Sequence, residues 1–189
     1  MNKRIVVAAT GASGMPLLLQ CLELFRQAGD WEVWGILSES ARLTLGHEVE
    51  GGEEKLARLV DRLLPVEDIS QGPASGSFRT AGMLIVPCSM KTVAGIRCGY
   101  AENLILRAAD VTLKEQRPLV LAPRESPLSP IHLENLLALS RLPGVRIVPP
   151  MMAFYHQPKT LDEMVYHLAA KLVEPFGVEA KEYRRWNGM

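Results

Sequence analysis

Short apolar runs alternate with helical patterns along this chain, and this alternation constrains its fold more than any other feature. The runs are rich in β-branched residues and cover residues 4–10, 32–37, 83–87, 119–122 and 145–148. The helical patterns between and after them cover residues 17–27, 41–46, 56–64, 101–115, 131–141 and 161–174. Strands that are buried on both faces and alternate with helices form a parallel sheet with right-handed crossovers. The sequence therefore predicts a three-layer, Rossmann-like α/β domain.

The composition allows one domain and excludes two classes of partner. With 189 residues, of which 48% are hydrophobic, the chain can bury one full core, so we expect a single domain over residues 1–189. Its 21 basic and 21 acidic residues give no net charge, whereas proteins that bind nucleic acids or membrane surfaces carry a basic excess. No apolar run reaches the roughly 18 residues of a membrane span. We expect neither nucleic acid nor membrane as a partner.

The cysteines and the first residues favour a cytoplasmic location. Cys21, Cys88 and Cys98 are odd in number and lack C-x-x-C spacing, so we expect reduced thiols and neither a disulfide framework nor a zinc site. The N-terminal residues lead directly into the first strand, without the apolar region and cleavage site of a signal peptide. The sequence therefore predicts a cytoplasmic protein.

The first predicted strand ends in the sequence TGASG (10–14). Glycines there permit a tight turn and leave backbone N–H groups at the positive end of a helix, which makes an anion site. The alternative is a tight turn without a ligand. A nicotinamide-dependent short-chain dehydrogenase begins similarly, and Tyr155 and Lys159 have its Tyr-x-x-x-Lys spacing. We reject that class because it has another glycine at the position of Met15, and because Pro158 keeps the pair from sharing a helical face.

Polar side chains also follow the other predicted strands. Ser38 follows the second strand, where a dinucleotide site would prefer an acid, and this favours a mononucleotide. The sequence CSMKT (88–92) places two hydroxyls, an ammonium and backbone N–H groups after the third strand, which suits an anion. Arg124 and Glu125 follow the fourth strand, either as a solvated pair or as a guanidinium aimed by a proline-stiffened loop. Ligands of such sheets bind at this edge.

Eight motifs in chain order resemble those of the flavin prenyltransferases of the UbiX type. This family includes proteins named phenylacrylic or hydroxyarylic acid decarboxylase subunits. The motifs are TGASG (10–14), SGSFRT (75–80), PCSMKT (87–92), RAADV (107–111), LKE (113–115), PRE (123–125), IHLEN (131–135) and FYHQP (154–158). The similarity runs over almost the whole chain and ends at Arg185 and Trp186.

The resemblance implies a flavodoxin-like domain that binds FMN and assembles into a homo-oligomer, commonly a dodecamer, with residues 175–189 in oligomer contacts. It implies transfer of a dimethylallyl group from dimethylallyl monophosphate to N5 and then C6 of reduced FMN. The prenylated flavin is delivered to a UbiD-type decarboxylase, which is expected as a transient partner. No metal is implied, and the chain lacks the D-D-x-x-D motif that holds magnesium diphosphate.

The resemblance also assigns roles to residues. FMN is expected to contact Gly11, Ala12, Ser13, Ser38, Ser89, Met90, Lys91, Thr92 and Arg124. The prenyl phosphate is expected among Lys114, Arg124, Glu125, Tyr155 and Lys171. The residues expected to take part in catalysis are Ser13, Glu48, Lys114 and Glu125, with Glu48 a candidate for proton handling.

The chain departs from the family pattern in two places, at Lys171 and at Met15 with Pro16. Lys171 stands where relatives often carry arginine, which keeps the charge but loses the bidentate grip on a phosphate; the alternative is a solvated helix lysine. Met15 and Pro16 replace the continuation found in ubiquinone-pathway members, which places the chain nearer the decarboxylase-associated branch. No histidine is assigned a catalytic role, because none has metal-ligand spacing.

Three other functions compete with prenyl transfer. The first is an FMN-dependent aromatic acid decarboxylase subunit, as older family names state. The second is a cysteine-peptide decarboxylase, which relies on a histidine that residues 76–82 lack. The third is a non-catalytic FMN carrier, for which a second anion site containing Lys114, Glu125 and Tyr155 has no evident use.

Overall fold

The computed structural model describes residues 3–188, so Met1, Asn2 and Met189 of the predicted domain and tail lie outside it. The strands of the described chain are β1 (Lys3–Ala9), β2 (Trp31–Leu37), β3 (Arg62–Leu64), β4 (Met83–Cys88), β5 (Leu119–Pro123) and β6 (Val145–Ile147). Its α-helices are α1 (Met15–Ala28), α2 (Glu39–Glu48), α3 (Gly52–Leu59), α4 (Met90–Cys98), α5 (Leu104–Lys114), α6 (Pro130–Ser140) and α7 (Leu161–Val173). Short 3₁₀ turns lie at Gly72–Ala74 and Glu174–Phe176.

All strand pairs are parallel, and the strand order across the sheet is β3-β2-β1-β4-β5-β6. Without the short edge strand β3, this is the 2-1-3-4-5 order of flavodoxin-like folds. The predicted three-layer, flavodoxin-like fold is confirmed. The order reverses between β1 and β4, so the crevice at their carboxyl ends is the place where such folds bind ligands.

Alternate residues of the central strands enter two separate cores. Ile5 and Val7 of β1 lie in the core beneath α1 and α7, whereas Val6 and Ala8 lie in the core beneath α4 and α5. In the first core, the fully buried Phe25 packs edge-on against Trp31, with 5.1 Å between ring centroids. Burial on both faces explains why the strands read as continuous apolar runs.

Three elements, α3, β3 and α4, differ from the sequence prediction. The sequence pattern predicted one helix over residues 56–64, but α3 ends at Leu59 and β3 begins at Arg62. Asp61 makes this turn, since its backbone N–H donates to the Val33 carbonyl (2.9 Å) while its carboxylate accepts from the Val33 N–H (2.7 Å). Helix α4 was not predicted as a helix, because it has nine residues and its interior contains Gly95, a poor helix former.

The sequence TLDE (160–163) at the start of α7 has the pattern of a capping box, and the box forms only in part. The Thr160 hydroxyl accepts from the Glu163 N–H (3.2 Å), but the Glu163 carboxylate accepts from Lys159, one residue before the cap (2.9 Å). The reciprocal pair of bonds forms instead at the start of α6, between Ser129 and His132 (3.2 and 3.3 Å). In α6 and α7, side chains therefore accept hydrogen bonds from backbone N–H groups that have no partner within the helix.

Candidate functional site

The loops that follow β1 and β4 are tied together at the point where the strand order reverses. The Thr10 N–H donates to the Pro87 carbonyl (3.0 Å), and the Ser89 N–H donates to the Thr10 hydroxyl (2.7 Å). Arg124 joins the same edge, because its N–H donates to the Cys88 carbonyl (3.1 Å). The predicted strand ends therefore meet at one edge of the sheet.

The glycines after β1 are required by close approach and by backbone conformation. A Cβ on Gly11 would lie 2.6 Å from the Cβ of Ser40, so a side chain there would collide with α2. Gly14 has φ of 129°, which residues with side chains rarely adopt. Between them, Ala12 is buried and Ser13 is exposed. The turn thus presents the Ser13 side chain and backbone groups at the edge where β1 ends.

The N-terminus of α1 already has an anion, which is the carboxylate of Glu48 at the end of α2. One Glu48 oxygen, Oε2, accepts from the Gly14 N–H (2.9 Å) and from the Met15 N–H (2.8 Å). Burial by itself raises the pKa of Glu48, but hydrogen bonds from the Ser13 hydroxyl and these two amides, with the charge of Arg124, hold it below its usual range. The anion site expected at TGASG (10–14) is therefore filled in part by the chain itself.

Two further helices begin at this edge with serine caps. The Ser38 hydroxyl accepts from the Ala41 N–H (3.1 Å) at the start of α2, and the Ser89 hydroxyl accepts from the Thr92 N–H (3.4 Å) at the start of α4. The Lys91 side chain points to the outer face of α4, 82% exposed and 3.9 Å from the Glu102 carboxylate. At CSMKT (88–92) the structure therefore brings hydroxyls and backbone N–H groups to the edge, and not the ammonium.

A cavity of about 460 Å³, here called the switch-point cavity, opens between the β1 loop and α7. Its polar lining comes from Ser13, Glu48 and Arg124, and α7 contributes an apolar wall through Leu161, Val165 and Leu168. These three residues were not predicted as part of a site, although their spacing places them on one face of a helix. The cavity combines one anionic and one cationic group with a flat apolar surface.

A smaller cavity of about 230 Å³, here called the lysine cavity, adjoins the first, and Pro150 and Leu168 line both. Its polar lining consists of Tyr155, His167, Lys171 and Tyr183. Tyr155 and Lys171 were predicted from the sequence, whereas His167 and Tyr183 were missed. His167 precedes Lys171 by four residues, which places both on one face of α7. This spacing could have indicated that His167 lies in the same site as Lys171.

The predicted convergence of Lys114 with Arg124, Tyr155 and Lys171 does not occur within one chain. Lys114 ends α5, which leads to the amino end of β5, whereas Arg124 follows the carboxyl end of that strand. The two residues therefore lie at opposite edges of the sheet. The Lys114 ammonium instead contacts the Glu115 carboxylate, above Gly76. The order of helix and strand in a parallel sheet already implies this separation, whereas the resemblance to the family does not say which chain supplies each residue.

The remaining predicted groups have simple surroundings. Glu125 is exposed next to Arg124 and accepts from the Ser126 N–H (3.0 Å). Cys21 and Cys88 are buried with free thiols, and this burial raises their pKa far above the usual range, whereas Cys98 is exposed.

Among residues 3–188, no group of three or more His, Cys, Asp or Glu side chains could hold a metal ion. Over the same residues, no helix is long and apolar enough to cross a membrane.

The chain matches the Flavoprotein family over residues 1–171. It is 51% identical to a probable UbiX-like flavin prenyltransferase of Streptomyces sp. (strain D7), over 98% of this chain and 92% of that protein. Its fold matches the dodecameric FMN-dependent UbiX-like decarboxylase of Escherichia coli O157:H7, with TM-score 0.95 and 49% identity, over 98% of this chain and all of that one. It also matches AnUbiX in complex with FMN and dimethylallyl pyrophosphate, with TM-score 0.96 and 39% identity over both full chains.

Proposed function

Because the chain belongs to the family of UbiX-like flavin prenyltransferases, we propose that it joins a dimethylallyl group to N5 and C6 of reduced FMN. The product is prenylated FMN, which a UbiD-type aromatic acid decarboxylase then takes up. The observation that supports this function best is the pair of adjoining cavities at the carboxyl edge of the sheet. Two substrates must meet in such a transfer, and a carrier or a simple flavoprotein needs one cavity.

The residues around the switch-point cavity fit FMN as the acceptor substrate. Gly11 lets α2 pack against the β1 loop, and the edge offers hydroxyls and backbone donors to a phosphate and a ribityl chain. Arg124 supplies the cation. We assign FMN contacts to Gly11, Ala12, Ser13, Ser38, Ser89, Met90, Thr92, Arg124 and the backbone of Lys91. The apolar wall on α7 suits the flat ring system or the prenyl chain next to it.

The lysine cavity fits the phosphate of the prenyl donor. When the allylic C–O bond breaks, its electron pair stays with the phosphate oxygen, and nearby cations and hydroxyls stabilise the growing negative charge. Lys171 and Tyr155 line this cavity, and Arg124 lies across the shared wall. We assign the phosphate to these residues together with Glu125, and dimethylallyl monophosphate as the donor. AnUbiX was solved with the pyrophosphate, so both donors belong in the assay.

We place Lys114 in the donor site of a neighbouring subunit. Within its own chain it lies at the opposite edge of the sheet, so it can reach a donor only across a subunit boundary. The E. coli relative is dodecameric, and we propose a homo-oligomer here, with residues 175–189 among its contacts. The exposed apolar side chains Ile131, Leu133 and Leu137 on α6 are available for such contacts.

The test is mass spectrometry of flavin recovered after anaerobic incubation with reduced FMN and either prenyl donor. A flavin heavier by one dimethylallyl unit is expected, in a reaction that persists in a metal chelator. An unchanged flavin mass would contradict prenyl transfer. An unchanged mass with release of carbon dioxide from an aromatic acid would favour the decarboxylase function that the name of the E. coli relative states.

Flavin selectivity gives a separate prediction. Purified protein is expected to bind FMN and to show no preference for FAD or NAD, because Ser38, not an acid, follows β2, where a dinucleotide site would hold a ribose diol. Titration followed by flavin fluorescence measures this, with NAD as competitor. Tight NAD binding without flavin uptake would contradict it.

A further inference from the structure

A cluster of aromatic residues surrounds the buried His167, which has no role in the reaction described above. Tyr155 and His156 belong to the segment before α7, and Tyr183 to the segment after it. The ring of His156 stacks on that of His167, with 3.9 Å between centroids and 4° between planes. Tyr183 packs 4.7 Å from the same ring. His167 itself is only 7% exposed.

A hydrogen bond links His167 to the proposed phosphate site. The Tyr155 hydroxyl and His167 Nε2 are 3.0 Å apart. An interaction with the backbone of Arg184 raises the pKa of the ring, as a carbonyl that accepts from a ring nitrogen does. We assign the proton of the neutral ring to the nitrogen that faces this backbone, so that Nε2 accepts from the Tyr155 hydroxyl. In this state the Tyr155 O–H points at His167, and only oxygen lone pairs remain for the lysine cavity.

That arrangement does not suit an anion, which needs the Tyr155 O–H as a donor. A protonated His167 would reverse the bond, because both ring nitrogens then donate. Without an anion, burial and then the charge of His156 keep the pKa of His167 below its usual range, against the bond to Arg184. A dianion next to Tyr155 and Lys171 acts in the opposite direction, because an opposite charge favours the protonated ring.

Besides Tyr155 and Tyr183, the nearest titratable group is His156, which stacks on His167 and has both ring nitrogens buried. The other charges near His167 lie in the lysine cavity or at the solvent-exposed surface. Lys171 is one helical turn away and shares the lysine cavity. On the other side, an open cavity of about 590 Å³ is lined by His167 together with the exposed Asp162, Glu163, Lys181, Glu182 and Arg184. Charges of both signs at a solvent-exposed surface are screened. An anion in the lysine cavity therefore dominates the electrostatics of the buried ring.

We propose that His167 is a positioning residue that reverses the hydrogen bond of Tyr155 when an anion enters the lysine cavity, and that takes up one proton as it does so. Nε2–H then donates to the Tyr155 oxygen, and the Tyr155 O–H donates to the anion. The proton comes from solvent, and no covalent bond to carbon or phosphorus forms or breaks. The identity of the anion as the donor phosphate rests on the proposed function.

Sulfate is the probe, because it stays a dianion throughout the range in which histidine titrates. Calorimetry on FMN-saturated protein, at constant ionic strength between about pH 5.5 and 8.5, gives affinity and proton uptake together. The pKa of His167 is higher with the anion than without it, so the extra affinity is present at low pH and is lost as the pH rises. We expect sulfate affinity to fall by up to about tenfold per pH unit, with about one proton taken up per sulfate.

Two variants separate this role from packing. His167→Gln keeps a hydrogen-bonding side chain that does not titrate, and His167→Phe keeps a ring; melting temperatures without sulfate identify a folded variant. Both are expected to bind sulfate with no dependence on pH. Because His167→Phe leaves the Tyr155 O–H free to donate to the anion, the loss of the pH slope, and not the strength of binding, is the test. His47→Gln, at an exposed position near the end of α2, is expected to keep the wild-type profile. Titration of Glu174 does not produce the expected pH dependence of sulfate binding. Hydrogen bonds from Lys171 and Arg185 lower the pKa of Glu174, so this carboxyl titrates below the pH range of the experiment.

Three outcomes would overturn the proposal. The first is the wild-type pH slope in a folded His167 variant, and the second is sulfate binding without proton uptake. The third is unchanged sulfate affinity in Lys171→Ala, which would place the anion outside the lysine cavity. Prenyl transfer by the wild type is scored separately by flavin mass. A prenylated flavin combined with pH-independent sulfate binding would therefore reject the role of His167 and leave the proposed function intact.

Discussion

Lys114→Ala is expected to lower prenyl transfer about a hundredfold while FMN affinity stays nearly unchanged. Removing a side chain that donates a hydrogen bond to the phosphate in a water-excluded site costs about 3 kcal/mol of transition-state stabilisation. This loss corresponds to a rate lower by about a hundredfold. In the free chain, Lys114 contacts Glu115 and lies far from the FMN-binding edge, so its removal leaves the flavin contacts in place. Single-turnover kinetics with reduced FMN and flavin titration measure the two effects. Lys55→Ala, an exposed lysine on α3, is the matched control.

Mixed oligomers test whether Lys114 acts across a subunit boundary. Lys114→Ala and Tyr155→Phe are each expected to impair every site of their own oligomer. After the two variants are denatured and refolded together, some sites combine an intact Lys114 from one subunit with an intact Tyr155 from another. Partial recovery of activity is expected on mixing. No recovery, or loss of flavin from Lys114→Ala, would contradict the assignment of Lys114 to a neighbouring donor site.

Glu48→Gln is expected to allow the bond to N5 and to slow ring closure at C6 on the order of a hundredfold, the usual size of general acid–base effects. Ring closure adds a proton to the alkene of the N5-bound prenyl group and removes the proton of C6, so the two adducts are isomers. A carboxylate can accept the C6 proton, whereas a carboxamide cannot. Hydrogen bonds from Ser13, Gly14 and Met15 outweigh the burial that raises the pKa of Glu48, so the group is ionised at neutral pH. In this state the carboxylate is able to accept the C6 proton.

The two flavin adducts have the same mass, so chromatography and NMR must distinguish them. Glutamine retains an oxygen that can accept from the Gly14 and Met15 N–H groups, so the turn is expected to keep its shape. Because the pKa of Glu48 is lowered in the fold, its stabilising contribution is present at neutral pH and is lost as the pH falls through that lowered value. Glu50→Gln, an exposed neighbour, is the control. Unaltered turnover in Glu48→Gln would exclude the role in proton transfer.

The sheet, its layers and the strand ends were predictable from the sequence because each depends on local patterns. Runs buried on both faces identify central strands, and their order with helices implies a parallel sheet. The turn at Gly11 and Gly14 follows from residue type, since only glycine fits a close approach and a positive φ. The eight motifs were sufficient to place the chain in its family. The short elements α4 and β3 lacked enough periodicity to be recognised.

The composition of the site depended on tertiary contacts that residue types do not encode. Glu48 reaches the N-terminus of α1 only because α2 packs beside it, so the predicted anion site contains a carboxylate of the chain itself. Lys91 was expected to bind an anion from its sequence neighbours and Lys114 from the resemblance to the family, yet Lys91 faces outward on α4 and Lys114 lies at the opposite edge of the sheet. His167 looked like an ordinary helix residue until folding placed its Nε2 against Tyr155. A motif specifies which groups are available, and the direction of each helix decides which of them meet.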